Sequence, residues 1–129
     1  MNKKLNYNEV KIKVGLDENQ LPEEIVWEAT DGQKASDAKA TFVSFWDDKA
    51  QQTLSLQLWV KDFTTDEMKR FIHQSFVLMT DTYEKAIGQE TVVRDMRDFT
   101  DYIAEKMGIV PPSGDFNLNP EGQNPEGKN

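Results

Sequence analysis

The sequence of 129 residues has no cysteine and only one histidine, His73. The absence of thiols excludes disulfides, thiol catalysis and cysteine-based zinc sites. One histidine without a nucleophile motif gives no support for a serine-type catalytic triad, so a packing role at a helix margin is the better interpretation of His73. Glycine-rich phosphate loops, Walker sequences and HExxH zinc motifs are missing as well. The sequence therefore predicts a protein without enzyme activity, without a metal site and without a cofactor.

Long apolar stretches and basic charge are also scarce. No apolar run reaches the ~18 residues that a membrane-spanning helix needs, so insertion into a membrane is not expected. With 15 basic against 23 acidic residues the formal net charge is -8, and an acidic surface repels nucleic-acid phosphates. The first residues lack the apolar segment of a signal peptide, because lysine and asparagine recur every few positions. We therefore expect a cytoplasmic protein that binds no nucleic acid.

Residues 111–129 differ in composition from the rest of the chain. They contain two NPEG units and almost no apolar side chain, so burial cannot offset the entropy lost on ordering. We expect this segment to be a disordered tail rich in proline, glycine and asparagine. The remaining residues, 1–110, suffice for one hydrophobic core but not for two, and are predicted to form a single α+β domain.

Four segments alternate between apolar and polar residues, which is the period of a β-strand with one buried face. They are Glu9–Leu16, Glu24–Thr30, Ala40–Trp46 and Thr53–Val60. Residues 33–39 show no periodicity and are predicted to form a mobile loop, while residues 47–51 are predicted to form a polar hairpin loop. The apolar face of the fourth strand is predicted to point into the core. It consists of Leu54, Leu56, Leu58 and Val60.

Two amphipathic helices are predicted to follow the strands. Thr64 and Glu67 have the spacing of a capping box, in which both side chains accept backbone N–H groups at the start of a helix. That helix ends at Gly88, and a second helix covers Gln89–Lys106 and ends at Gly108. Strands followed by helices indicate an α+β fold. We expect a four-stranded antiparallel sheet with both helices packed on one face, in the order ββββαα.

Some apolar residues exceed what such a core needs. The third strand carries apolar side chains on both faces, and Trp59 is an aromatic residue on an otherwise polar face of the fourth. Isolated exposed aromatics are common, so ordinary surface decoration is one interpretation. The other is a contact surface for a second copy in a homo-oligomer, or for another protein. Whether Phe45 and Trp59 share a face depends on strand register. The candidate interface residues are Val43, Phe45, Trp59, Phe71 and Leu78.

The run LWVKDFTTDEMKRFIHQ joins the fourth strand to the first helix and is the most specific feature of the sequence. Together with SFWDDKAQQTLSLQ before it and MRDFTDYIAEKMG after it, this run resembles the gliding-motility protein GldC family of Bacteroidota. The resemblance implies an accessory role in gliding motility, a machinery of envelope components tied to protein secretion. It implies no enzyme activity and no cofactor. It also implies protein partners in the gliding or secretion machinery, with which a cytoplasmic protein would associate peripherally at the envelope.

A second resemblance concerns the order of elements alone. Four antiparallel strands followed by two helices is the layout of the SecB-like export chaperones, which oligomerise. An apolar sheet face would then bind client polypeptides. Two functions thus remain open: a non-enzymatic accessory protein of gliding motility that acts through protein–protein contact, and a SecB-like chaperone or client-binding module that supports secretion.

Overall fold

The structure is a computed structural model and describes residues 3–111. The elements in chain order are β1 Val10–Leu16, β2 Pro22–Ala29, β3 Lys34–Ala38, β4 Ala40–Asp47, β5 Gln52–Trp59, α1 Thr65–Ile87 and α2 Thr91–Lys106. They form two compact units, one that contains the strands and ends at Thr64 and one that begins at Thr65 and contains both helices. The predicted tail lies outside the described residues except for Pro111. The α+β class is confirmed, whereas the single domain over residues 1–110 stays a prediction.

The first three strands form an antiparallel sheet in the order β1-β2-β3. In β1 and β2, Ile12 lies opposite Trp27 and Val14 lies opposite Ile25. Residues opposite each other in an antiparallel pair point to the same face, so the apolar sides of the two strands coincide, as their alternation predicts. Ile25 is only 1% exposed and is the most deeply buried side chain of the strand unit.

Residues 34–38 form strand β3, so the prediction of a loop over residues 33–39 is wrong. Trp27 of β2 lies opposite Ala35, and Ile25 lies opposite Ala38. Two steps along β2 therefore correspond to three steps along β3, which is a β-bulge. The extra residue breaks the alternation with a period of two. A strand of five residues with a bulge consequently has no periodic pattern in the sequence.

Strands β4 and β5 form a separate two-stranded antiparallel sheet, so the prediction of one four-stranded sheet is wrong. Only Lys39 separates β3 from β4. The predicted polar hairpin loop between β4 and β5 is confirmed. The Asp47 carboxylate accepts hydrogen bonds from the backbone N–H groups of Lys49, at 3.0 Å, and Ala50, at 3.1 Å. These bonds stabilise the tight turn of the loop, as aspartate does at many turns.

The helical unit is a helical hairpin, and each of its two helices ends at a glycine. Gly88 has φ +117° and donates its backbone N–H to the Glu84 oxygen at 2.9 Å, which ends α1 as predicted. Gly108 has φ +80° and ends α2 in a Schellman motif, in which its N–H and that of Ile109 bond the last helical carbonyls. The first residue of α2 is Thr91, two residues later than predicted.

The interior of the helical unit contains polar as well as apolar residues. Thr80 and Thr100 are buried, and each hydroxyl donates to a carbonyl of its own helix, at 2.9 Å in both cases. The rings of Phe76 and Phe99 meet edge to face with centroids 5.9 Å apart. His73 Nε2 lies 3.0 Å from the Thr100 backbone oxygen, so the ring joins α1 to α2. This contact supports a packing role for His73.

Candidate interaction surface

The register of β4 and β5 determines which apolar residues share a face. Val43 lies opposite Leu56 and Phe45 lies opposite Leu54, so these four side chains occupy one face of the two-stranded sheet. Trp59 lies opposite Ala40, five residues from Phe45, and therefore on the other face. The sheet thus carries candidate residues on both faces. Phe45 and Trp59 do not belong to one patch.

The leucine face of β5 is exposed over much of its length, which corrects its assignment to the core. Leu54 is 48% exposed and Leu56 is 53% exposed. Leu58 is half-buried and Val60, just beyond the strand, is buried as predicted. The alternation correctly groups these residues on one face. It does not reveal that a two-stranded sheet leaves most of that face open.

Two aromatic residues at the end of β4 are the most exposed apolar side chains of this sheet. Phe45 is 65% exposed and Trp46 is 60% exposed. Trp46 points to the face of Trp59, because it lies opposite Thr53. The sequence reasoning missed Trp46, although FVSFW places aromatic side chains on both faces of one strand. A strand of that kind needs cover on both sides.

The two candidate residues of the helical unit occupy a single stripe of α1. Phe71 and Leu78 are seven residues apart, two turns of helix. Phe71 is half-buried, whereas Leu78 is exposed. Met79 next to it is also exposed. The apolar face of α1 is therefore open around its middle turns.

An open apolar groove of about 490 Å³ lies within the strand unit. Its walls are the apolar face of β1, β2 and β3 and residues 40–44 of β4. Ile12, Ile25 and Trp27 are among the residues that line it, and its lining carries no charged side chain. Such a groove can accept apolar side chains but offers no group for acid–base chemistry.

A family model described as gliding motility-associated protein GldC-like matches residues 22–109, more than half of the chain. The chain belongs to this family. The match confirms the resemblance and extends from the first residue of β2 to Ile109, so it includes every candidate interface residue. Searches of curated proteins and of solved structures found no match for this GldC-like chain.

An ion pair ties Lys61 of this GldC-like chain to the turn after β1. Lys61 Nζ lies 2.8 Å from Asp17 Oδ2. Asp17 Oδ1 also accepts the backbone N–H groups of Asn19, at 2.8 Å, and Leu21, at 3.0 Å. These hydrogen bonds, with that from Lys61 the largest, lower the pKa of Asp17 from 3.8 to about 2. The same hydrogen bond raises the pKa of Lys61. Glu23 Oε1 lies 3.4 Å from the same Lys61 Nζ, so the two carboxylates and the lysine form a cluster that closes the turn.

Arg97 of α2 makes the corresponding contact in the helical unit. Its guanidinium lies 2.7 Å from Glu84 Oε1 and 3.0 Å from Asp81 Oδ1, both on α1. The hydrogen bond to Glu84, followed by that to Asp81, raises the pKa of Arg97. Among residues 3–111, no group of three or more histidine, aspartate or glutamate side chains is arranged to hold a metal ion. Neither described helix is long and apolar enough to cross a membrane.

Proposed function

We propose that this GldC-like chain is a non-enzymatic accessory protein of gliding motility that acts through protein–protein contact. The observation that carries the proposal is the exposed aromatic surface of the β4–β5 sheet. Phe45, Trp46 and Trp59 are each about half exposed or more. Aromatic side chains are the commonest anchors of protein interfaces, because they bury a large area at a small entropic cost.

The charge distribution supports contact with protein and not with a charged polymer. The chain carries a net charge of -8, yet no charged residue lies in residues 40–46 or 53–59. An uncharged apolar surface on an acidic protein favours apolar partner surfaces and repels phosphate groups. We propose, from the family, that this partner is a protein component of the gliding or secretion machinery. A cytoplasmic protein that associates peripherally with this envelope machinery fits the proposal.

A deletion strain tests the proposal, with complementation by single variants. We expect loss of normal spreading on deletion and weaker complementation by Phe45→Ser and Trp59→Ser than by the wild-type gene. Because the two residues lie on opposite faces, the two variants test the two faces separately. Tyr7→Ser is the matched control, since Tyr7 is an exposed aromatic outside the sheets.

Folding of each purified variant is checked by circular dichroism, and its association state by light scattering. We expect the two sheet variants to fold normally and to alter association. A deletion strain that spreads and glides normally would contradict the gliding role. Full complementation by both sheet variants would contradict the role of this surface.

The apolar groove favours a second candidate function, a SecB-like client-binding module. A groove with no charged lining suits unfolded apolar segments of secretory proteins. The discriminating measurement is aggregation of a chemically denatured model protein, diluted into buffer with and without the full chain. Suppressed aggregation that Trp27→Ser abolishes favours the client-binding module. Unchanged aggregation removes it and leaves the accessory role in place.

A further inference from the structure

Strand β4 pairs along one edge only, within residues 3–111. The Lys39 oxygen accepts the Val60 N–H, and the Asp47 oxygen accepts the Gln51 N–H, both at 2.8 Å. Backbone groups in a strand point alternately to its two edges. The odd-numbered residues of β4 therefore bond β5, while even-numbered residues such as Ser44 direct their N–H and C=O to the opposite edge.

The sequence of β4 lacks the residues that most often protect a sheet edge. Edge strands of monomeric proteins are protected by lysine, proline, inward charges or bulges. Residues 40–46, ATFVSFW, contain no charge and no proline, and β4 pairs with β5 without a bulge. In an acidic chain, an uncharged strand is also the place where two copies meet with the least electrostatic repulsion.

The apolar groove runs along the same edge. Five consecutive residues of β4, 40–44, line it. Consecutive residues alternate between faces, so a groove that reaches all five follows the strand edge. Its other walls come from β1, β2 and β3, and no residue of β5 is among those that line it. Phe45 and Trp46 lie immediately beyond the lined segment and are largely exposed.

We infer that β4 pairs antiparallel with β4 of a second copy, about a two-fold axis at Ser44. In this register Trp46 of each copy lies opposite Phe42 of the other, beside the groove, and Phe45 lies opposite Val43. The half of β4 that carries the exposed aromatics thus meets the groove-lining half of the other copy. The contact is the same in both directions, as a closed two-fold interface requires.

The exposed aromatic side chains of β4 supply part of the area that a stable dimer buries. An aromatic side chain buries about 150–250 Å², so the exposed parts of Phe45 and Trp46 offer roughly 190–310 Å² per copy. A stable interface needs about 800 Å² per partner. The two rings supply about a quarter to two-fifths of that area, and the paired backbones and the groove walls are where the rest would be buried.

Cysteine cross-linking tests the register directly, because the chain has no cysteine of its own. Ser44→Cys places two thiols across the axis with Cα atoms about 5.5 Å apart, within the range of a disulfide. Ser55→Cys is the matched control, since Ser55 lies opposite Ser44 on β5 and is also exposed. Two copies of residue 55 would be three strand spacings apart, about 14 Å, which no disulfide spans.

We expect the full chain to have twice its monomer mass by light scattering. We also expect Ser44→Cys to form a covalent dimer at least about tenfold faster than Ser55→Cys under mild oxidation. Ser44→Pro removes an N–H that points away from β5, so it should leave the β4–β5 ladder intact and yield a monomer. A chain that is monomeric over the whole concentration range overturns the inference. A dimer in which Ser55→Cys cross-links as fast as Ser44→Cys overturns it too.

This inference stands apart from the gliding role. A monomeric chain would refute the dimer without affecting the complementation results. Normal gliding of the deletion strain would refute the proposed function without affecting the cross-linking results.

Discussion

Ile25 of β2 is the most deeply buried side chain of the strand unit. It is 1% exposed, whereas Leu56 of β5, a side chain with the same number of carbon atoms, is 53% exposed. We predict that Ile25→Ala destabilises the strand unit far more than Leu56→Ala does. The alternation of apolar and polar residues in β2 and β5 by itself predicts that both side chains are buried. It therefore predicts an equally large loss of stability for both substitutions.

The magnitudes follow from the two degrees of burial. Truncation of a fully buried isoleucine to alanine costs about 2–5 kcal/mol, because lost transfer free energy adds to the cavity that is left. Leu56 keeps about half of its surface in water, so its truncation removes only part of the transfer term and leaves no closed cavity. A cost of about 1 kcal/mol or less is expected there. Ile25→Val, which removes one methylene group, should cost about 0.5–1.5 kcal/mol.

Urea unfolding followed by tryptophan fluorescence measures these differences. All three tryptophans, Trp27, Trp46 and Trp59, lie in the strand unit, so the signal reports on that unit. With a slope of about 2 kcal/mol per molar urea, Ile25→Ala should lower the midpoint by about 1–2.5 M. The shift for Leu56→Ala should be below about 0.5 M. Equal shifts for the two variants would refute the difference in burial on which the prediction depends.

Two further predictions concern the turn after β1 and the end of α1. The pKa of Asp17 falls from 3.8 to about 2 on folding, so its carboxylate stabilises the native state above about pH 4 and this contribution disappears as the pH falls through about 2. Asp17→Asn should therefore lower the melting temperature much more at pH 6 than at pH 2, with Glu18→Gln as the control. An equal difference at the two pH values would contradict this. Gly88→Ala forces alanine to φ +117° and should cost about 1–2 kcal/mol in thermal melts. Gly15→Ala is the control and should melt like the wild type, because its added Cβ lies at an ordinary 3.5 Å from Glu24 Cβ. Equal melting temperatures of the two glycine variants would contradict a cost from backbone strain at Gly88.

Short-range sequence patterns correctly predicted the ends of the two helices and the strands with regular alternation. Gly88 and Gly108 end their helices where the sequence places them, because a glycine in the left-handed region stops a helix through short-range bonds. The paired apolar faces of β1 and β2 likewise follow from alternation within each strand. Strand β3 escaped prediction because its bulge removes the period of two.

The candidate surface was predictable only in part. The sequence shows that β4 and β5 carry more apolar residues than one buried face needs, and so draws attention to Phe45 and Trp59. It does not show that these two residues lie on opposite faces, because register is set by pairing between strands. Trp46 was missed for a related reason, since its exposure depends on what covers the second face of β4.

The sequence by itself therefore determined the α+β class, both helices, four of the five strands and membership in the GldC-like family. These features depend on periodicity, end signals and short motifs, which are local properties of the chain. Only the tertiary structure decided how the strands divide into two sheets and which of their apolar residues are exposed. Both depend on contacts between residues far apart in the chain. Leu56 shows the difference most clearly, since its spacing is that of a core residue and its surroundings are those of a surface residue.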